Sequence, residues 1–195
     1  MKRSRVGGGS DELIHSSFRD VNVHAYTPIR VSTKKLIMST IRFHFKTIST
    51  PEQFVAGLTD FGPGRSKLFG NSAEEHLKVH HRGTSSADVT EGSSGIWERL
   101  SYDWSDPDRV VMTTTDSNVW GGRSGHIYTF TRLPDGTTAL DAIVVREGKN
   151  IKGWVLGFVL GTIGRHVLER AFANSIKAIE ARNGATREEC MSSAR

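Results

Sequence analysis

A chain of 195 residues with 36% hydrophobic and 24% charged side chains is large enough to bury one sizeable core, and its 20 glycines imply many turns. Its single cysteine, Cys190, excludes an intrachain disulfide and a zinc site built on thiolates, which favours a reducing, cytoplasmic setting. The net charge of +5 is mild and is not gathered into a basic face with interleaved aromatics, so no nucleic-acid partner is expected.

The opening MKRSRVGGGSDELIHSSF turns from three basic residues to glycine and acid where a secretory signal would need an apolar run, so no export signal is expected. Residues 1–35 show no sustained period and are expected to be a flexible extension outside the fold, with residues 185–195 as a disordered tail and the domain spanning 36–184. Order begins with STIRFHFKTI, where Ile41, Phe43, Phe45 and Thr47 alternate with Arg42, His44 and Lys46 as in a half-buried strand. STPEQFVAGLTDF follows: Thr50 can cap a helix, Pro51 fits its first position and Gln53 completes a capping box, with Phe54, Val55 and Leu58 as the apolar face. FGPGRSKLFGN then breaks the chain and allows a second short helix over Arg65 to Phe69.

From Glu75 to Arg146 the sequence reads as six consecutive strands, EHLKVHHRG, ADVTEG, GIWERLSYDW, RVVMTTTDSN, GHIYTFTRL and TTALDAIVVRE, joined by turns such as SDPD and LPDGT. Such a meander is antiparallel, with one face to bury. The long element left to cover it runs from about Asn150 to Asn183. Its charge-free run, Gly153 to Gly164, is about half of the roughly 20 residues a membrane span needs, so no span is expected.

Read as one helix, that element places Leu168, Phe172, Ser175, Ile176 and Ile179 on the stripe facing the sheet and His166, Arg170, Asn174 and Lys177 opposite. The same stripe continues to Gly164, Gly161 and Gly157, and each mid-helix glycine costs about 1 kcal/mol relative to alanine. Either the helix lies against the strands there, or it stands off and leaves a cavity walled by Trp154 and Phe158. One face of GIWERLSYDW presents Glu98, Leu100, Tyr102 and Trp104 and the facing row of GHIYTFTRL presents His126, Tyr128 and Phe130, aromatic bodies with polar tips that suit a small-molecule pocket. The opposite phase, with Trp97, Arg99 and Ser101 inward, is also open to alternation alone.

Two other constellations carry less. His76 and His80 are about 13 Å apart on a strand, too far to share an ion, so no metal is expected. WGGRSG lacks the helix N-terminus a phosphate cradle requires and is expected to be a turn at the rim.

The order strand, two short helices, six-strand meander and long C-terminal helix resembles the SRPBCC superfamily, the helix-grip proteins that include START lipid-transfer domains, the major birch pollen allergen and polyketide cyclase/dehydrase-like bacterial proteins. The residues that carry the likeness are ISTPEQFVAGLTDF at 48–61, YDWSDPDRVVM at 102–112 and GFVLGTIGRHVLERAFANSIKAIEARN at 157–183. The resemblance implies an α+β fold in which a curved antiparallel sheet of about seven strands grips the last helix around an apolar cavity. It implies a hydrophobic ligand, lipid or polyketide-like, held with no cofactor; the residues expected to line its site are Glu98, Leu100, Tyr102, Trp104, Met112, Tyr128, Phe130, Arg146, Trp154, Gly157, Phe158 and Gly161. Cyclases and hydratases of this superfamily polarise a carbonyl with cavity side chains, for which Glu98, Tyr102, Tyr128 and Arg146 are this chain's candidates. Val155, Val159 and Ile163, on the outer face of the helix, leave room for a third class of role, peripheral membrane contact or a homodimer.

Overall fold

The computed structural model describes residues 38–70, 72–162 and 164–193, with side-chain surroundings as far as residue 184; the extension expected over 1–35 lies outside these residues. Strand β1 (Met38–Thr47) alternates as its sequence requires, with Ile41, Phe43 and Thr47 buried. Helix α1 (Pro51–Leu58) starts at the expected capping box: Gln53 N–H donates to Thr50 Oγ1 at 3.3 Å and Thr50 N–H donates to Gln53 Oε1 at 2.9 Å. Helix α2 (Arg65–Leu68) is a single turn after the glycine and proline break.

Six strands follow: β2 (Lys78–Arg82), β3 (Ser86–Ser93), β4 (Ile96–Asp103), β5 (Arg109–Ser117), β6 (Gly125–Arg132) and β7 (Thr138–Glu147). His76 lies in a short 3-10 turn ahead of β2, outside the strand expected for it, while His80 and His81 are exposed on β2. Among the described residues no three metal-ligating side chains gather. The seven strands form one antiparallel sheet in the order β1-β7-β6-β5-β4-β3-β2, so the meander runs from β2 to β7 and β1 pairs along the whole of β7. The outer strand β2 is exposed throughout and carries Lys78 and Arg82, charge of the kind that discourages edge-to-edge pairing.

One face of the sheet is buried. It offers Ile41 and Phe43 from β1, Leu140 and Val144 from β7, Tyr128 and Phe130 from β6, Val110 and Met112 from β5, and Leu100 and Tyr102 from β4. Phe54 and Leu58 of α1 and Ile176 and Ile179 of the last helix close over it, and each fully buried side chain of this size is worth about 1.5 to 3 kcal/mol.

The C-terminal element differs from the single helix expected. It is two helices, α3 (Ile151–Gly161) and α4 (Arg165–Ser193), because the chain leaves helical geometry at Thr162, with φ −113° and ψ −88°. Thr162 Oγ1 donates back to the Phe158 carbonyl at 2.8 Å and Gly164 N–H donates to the Val159 carbonyl at 2.7 Å, so the last turn of α3 is closed locally. Gly164 sits where a Cβ would be 2.9 Å from Leu160 Cα, which ties the break to that glycine. A stripe projected at 100° per residue across Thr162 therefore does not hold, although within α4 it does: Ile176 and Ile179 are buried and His166, Arg170, Asn174 and Lys177 exposed. At the other end α4 continues to Ser193, through residues expected as a disordered tail from 185. No helix among the described residues is long and apolar enough to cross a membrane.

The glycines of α3 separate the two explanations for them. A Cβ on Gly153 would lie 2.1 Å from the Val119 carbonyl oxygen, so here the helix does touch backbone, that of the connection between β5 and β6. A Cβ on Gly157 would meet nothing nearer than the Trp120 ring at 3.8 Å. Gly153→Ala is therefore expected to lose about 1 to 3 kcal/mol by overpacking, while Gly157→Ala is expected to be neutral or to gain up to about 1 kcal/mol from helix propensity. Denaturant melts of the two variants check this, and equal losses would contradict it.

Candidate functional site

Between the buried face of the sheet, α2, the end of α3 and the first half of α4 lies a cavity of about 570 Å³. Val144, Met112, Leu58, Leu160, Leu168 and Phe172 give it apolar walls, and the exposed lining residues Lys67, Gly70, Ser94, Ala171 and Asn174 mark its mouth. Strand pairing sets the polar part. Because inward positions alternate, Glu98 of β4, His126 of β6 and Arg146 of β7 arrive on the same side as Tyr102 and Tyr128, all of them buried.

Two charge-paired networks result. In the first, the Arg146 fork donates to both oxygens of Glu98, at 3.0 and 3.1 Å, and Thr114 Oγ1 donates to the same carboxylate at 3.1 Å. Arg146 also lies over the Trp120 ring, 5.1 Å from its centroid, and donates to His126 Nε2 at 2.6 Å. A guanidinium has no acceptor, so His126 Nε2 must be the unprotonated nitrogen and the proton is assigned to Nδ1. That Nδ1–H donates to the Tyr128 hydroxyl at 3.3 Å. The phenol oxygen is thereby an acceptor, and its own hydrogen has no acceptor among the described residues, on a side chain that lines the cavity.

The second network uses Arg65 of α2. Its Nε donates to Glu91 Oε2 at 3.0 Å, its Nη2 to the Tyr102 hydroxyl at 3.0 Å, and its Nη1 to the carbonyls of Leu58 and Asp60, both at 2.9 Å. Tyr102 donates in turn to Glu91 Oε1. The guanidinium packs on the rings of Phe61 and Phe69, 4.7 and 4.9 Å from their centroids. Tyr102 thus both donates and accepts within the wall, whereas Tyr128 keeps a spare donor.

Burial sets the direction of the proton affinities. It pushes the Tyr102 phenol well above its usual range, with Glu91 adding to the shift, and raises Tyr128 as well, a rise that Arg146 moderates. Burial, then the charge of Arg146, holds His126 well below the ordinary histidine value of 6.5. For Glu91 burial works toward the neutral form but is outweighed by the Arg65 charge and hydrogen bond, so its carboxyl lies below the usual range. The depressed His126 value has a consequence for folding. The unfolded chain binds this proton near pH 6.5 while the folded chain refuses it, so the stability tied to His126 is complete above that pH and is lost as pH falls toward the folded value. The thermal midpoint is expected to start declining below about pH 6.5, and His126→Gln, which keeps one acceptor and one donor, should remove that onset. An unchanged onset in the variant would contradict the assignment.

Of the residues singled out in the sequence, Glu98, Tyr102, Met112, Tyr128 and Arg146 line the cavity. Leu100 and Phe130 face the same side but are buried in the core, Phe130 against Phe54 at 5.3 Å, and Trp104 packs half-buried at the edge of that core. Trp154, Gly157, Phe158 and Gly161 lie elsewhere. Phe158 is 64% exposed on the outer side of α3, and the Trp154 indole N–H donates to the Gly148 carbonyl at 2.7 Å. Gly157 and Gly161 face Trp120 and Ser39 and not the cavity: a Cβ on Gly157 would meet Trp120 at 3.8 Å and one on Gly161 would meet Ser39 at 3.2 Å. Arg65, Glu91 and Trp120 join the site without having been singled out. A signal existed only for Glu91, which follows Ala87 and Val89 at the inward phase of ADVTEG.

No protein-family model and no curated protein matches the sequence. Solved structures do match by shape. A START superfamily protein from Mycobacterium smegmatis aligns over 73% of this chain and 95% of its own at 13% identity, with a TM-score of 0.56. The Zhui aromatase/cyclase from Streptomyces sp. R1128 aligns over 75% and 93% at 12% identity and a TM-score of 0.56. Norcoclaurine synthase from Thalictrum flavum, in complex with dopamine and hydroxybenzaldehyde, aligns over 86% and 94% at 11% identity and a TM-score of 0.53. At such identities the likeness concerns the fold: this chain has the α+β, SRPBCC-type helix-grip fold.

Proposed function

We propose that this protein binds one hydrophobic small molecule, lipid or polyketide-like, between the sheet and the C-terminal helices, in a cytoplasmic setting. The observation that carries the reading is the cavity itself. Its volume of about 570 Å³ falls within the roughly 300 to 1,000 Å³ of small-molecule sites, and apolar walls with a few convergent polar groups are what such sites present. Among the proteins that share the fold, one is named an aromatase/cyclase and another was solved in complex with dopamine and hydroxybenzaldehyde, which is in keeping with it. Titration with N-phenyl-1-naphthylamine, an uncharged apolar fluorophore, tests the proposal. Saturable enhancement at one site per chain is expected, and no enhancement at micromolar protein would overturn it.

An acid–base enzyme of the cyclase or dehydratase type would use the same wall. Efficient proton transfer wants groups that titrate near the working pH, and here His126 is held neutral, Tyr128 is made a weaker acid and Glu98 is engaged at both oxygens. Holding a ligand is therefore the reading the geometry supports best. The outer face of α3 supports a separate surface role: Ile151, Val155, Phe158 and Val159 are between 42% and 74% exposed on one short helix, the kind of patch that meets a membrane or another protein. Co-sedimentation with vesicles and the concentration dependence of the mass are its tests. Ile163, expected on the same face, lies outside the described residues.

A further inference from the structure

We infer that the inner end of the cavity recognises an uncharged hydrogen-bond acceptor, a ketone, aldehyde, ester or amide carbonyl on an apolar body, and rejects a carboxylate. The inference rests on the proposed ligand cavity and adds the chemistry of what enters it. Both guanidiniums in the wall are spent. Arg146 is matched by Glu98 through two parallel bonds and Arg65 by Glu91 and Tyr102, so each carries a partner of opposite charge at hydrogen-bonding distance. His126 adds no charge, since Arg146 occupies the lone pair a second proton would need.

The polar wall is therefore neutral as a whole but not inert. The Tyr128 hydroxyl accepts from His126 and is left with a hydrogen to donate, and the tyrosine, only 4% exposed, is one of the residues that line the cavity. An acceptor lone pair satisfies that hydrogen without bringing charge. A carboxylate at the same place would leave water for a site whose cations are already matched, and would face the Glu98 carboxylate, so its desolvation is not repaid. Lys67 does not alter this, because it is at the mouth in water, where its attraction is screened.

The test displaces N-phenyl-1-naphthylamine from the full chain near neutral pH and about 0.15 M salt with three ligands of one alkyl length: the alkane, the methyl ketone and the carboxylate. The ketone is expected to bind about tenfold more tightly than the alkane, the ratio one buried hydrogen bond supports. The carboxylate is expected to bind at least about tenfold more weakly than the ketone. Tyr128→Phe should bring the ketone-to-alkane ratio to about one, and Glu98→Gln, which leaves Arg146 unmatched, should improve the carboxylate relative to the ketone. If Glu98→Gln does not fold, the Tyr128→Phe ratio decides alone. A wild type that takes up the fluorophore yet binds ketone and alkane equally, a ratio that survives Tyr128→Phe, or a carboxylate that matches the ketone would each overturn the inference. Absence of fluorophore uptake would instead sink the cavity reading beneath it.

Discussion

Arg65→Ala is expected to cost about 3 to 5 kcal/mol, the loss that follows when one member of a buried ion pair is removed and the other stays charged. Arg65 is 3% exposed and Glu91 5%, so solvent does not soften the loss. The guanidinium also satisfies two carbonyls, Leu58 at the end of α1 and Asp60 just beyond it, and packs on the rings of Phe61 and Phe69. Replacing both partners, Arg65→Met with Glu91→Leu, should recover much of that loss, because no uncompensated charge remains. Tyr102 would still lose both of its partners, so recovery should be incomplete. Urea melts of the single and double variants give the comparison. A loss below about 1 kcal/mol for Arg65→Ala would mean the pair is far better solvated than its burial indicates.

Ser175→Trp is expected to abolish fluorophore uptake, by at least about tenfold in affinity, with little change in stability. Ser175 is half-buried on the sheet-facing stripe of α4 and lines the cavity with Leu168 and Phe172. A large side chain there enters the space a ligand would take. Were that space already filled by protein, the same substitution would overpack the core and cost about 1 to 3 kcal/mol, so stability and uptake measured together distinguish the two cases.

The fold was legible where it is written locally. Alternation in STIRFHFKTI and GHIYTFTRL, the capping box at Thr50 and Gln53, and the turns at SDPD and LPDGT each act over a few residues, and together they placed β1, α1 and the meander. The break between α3 and α4 was not, because GFVLGTIGRHV keeps an apolar, helix-compatible pattern across it. What decides the matter is the local closure of Thr162 and Gly164 onto the last turn of α3. The site divided in the same way. Glu98, Tyr102 and Tyr128 could be placed by phase along single strands, but their partners could not: Arg65 reaches Glu91 across 26 positions and Arg146 reaches Glu98 across 48. The glycine stripe misled for a related reason. Gly157 does make room, but the ring of Trp120 takes it, and no local pattern in VWGGRSG announces where that ring will go.

The most direct test of the account is native mass spectrometry of the full chain equilibrated with N-phenyl-1-naphthylamine, alongside Ser175→Trp treated in the same way. One fluorophore per wild-type chain and none on the variant is the expected result. A wild-type chain that stays unliganded at saturating fluorophore, or a variant that carries it as readily as the wild type, would contradict the claim that this cavity is a binding site.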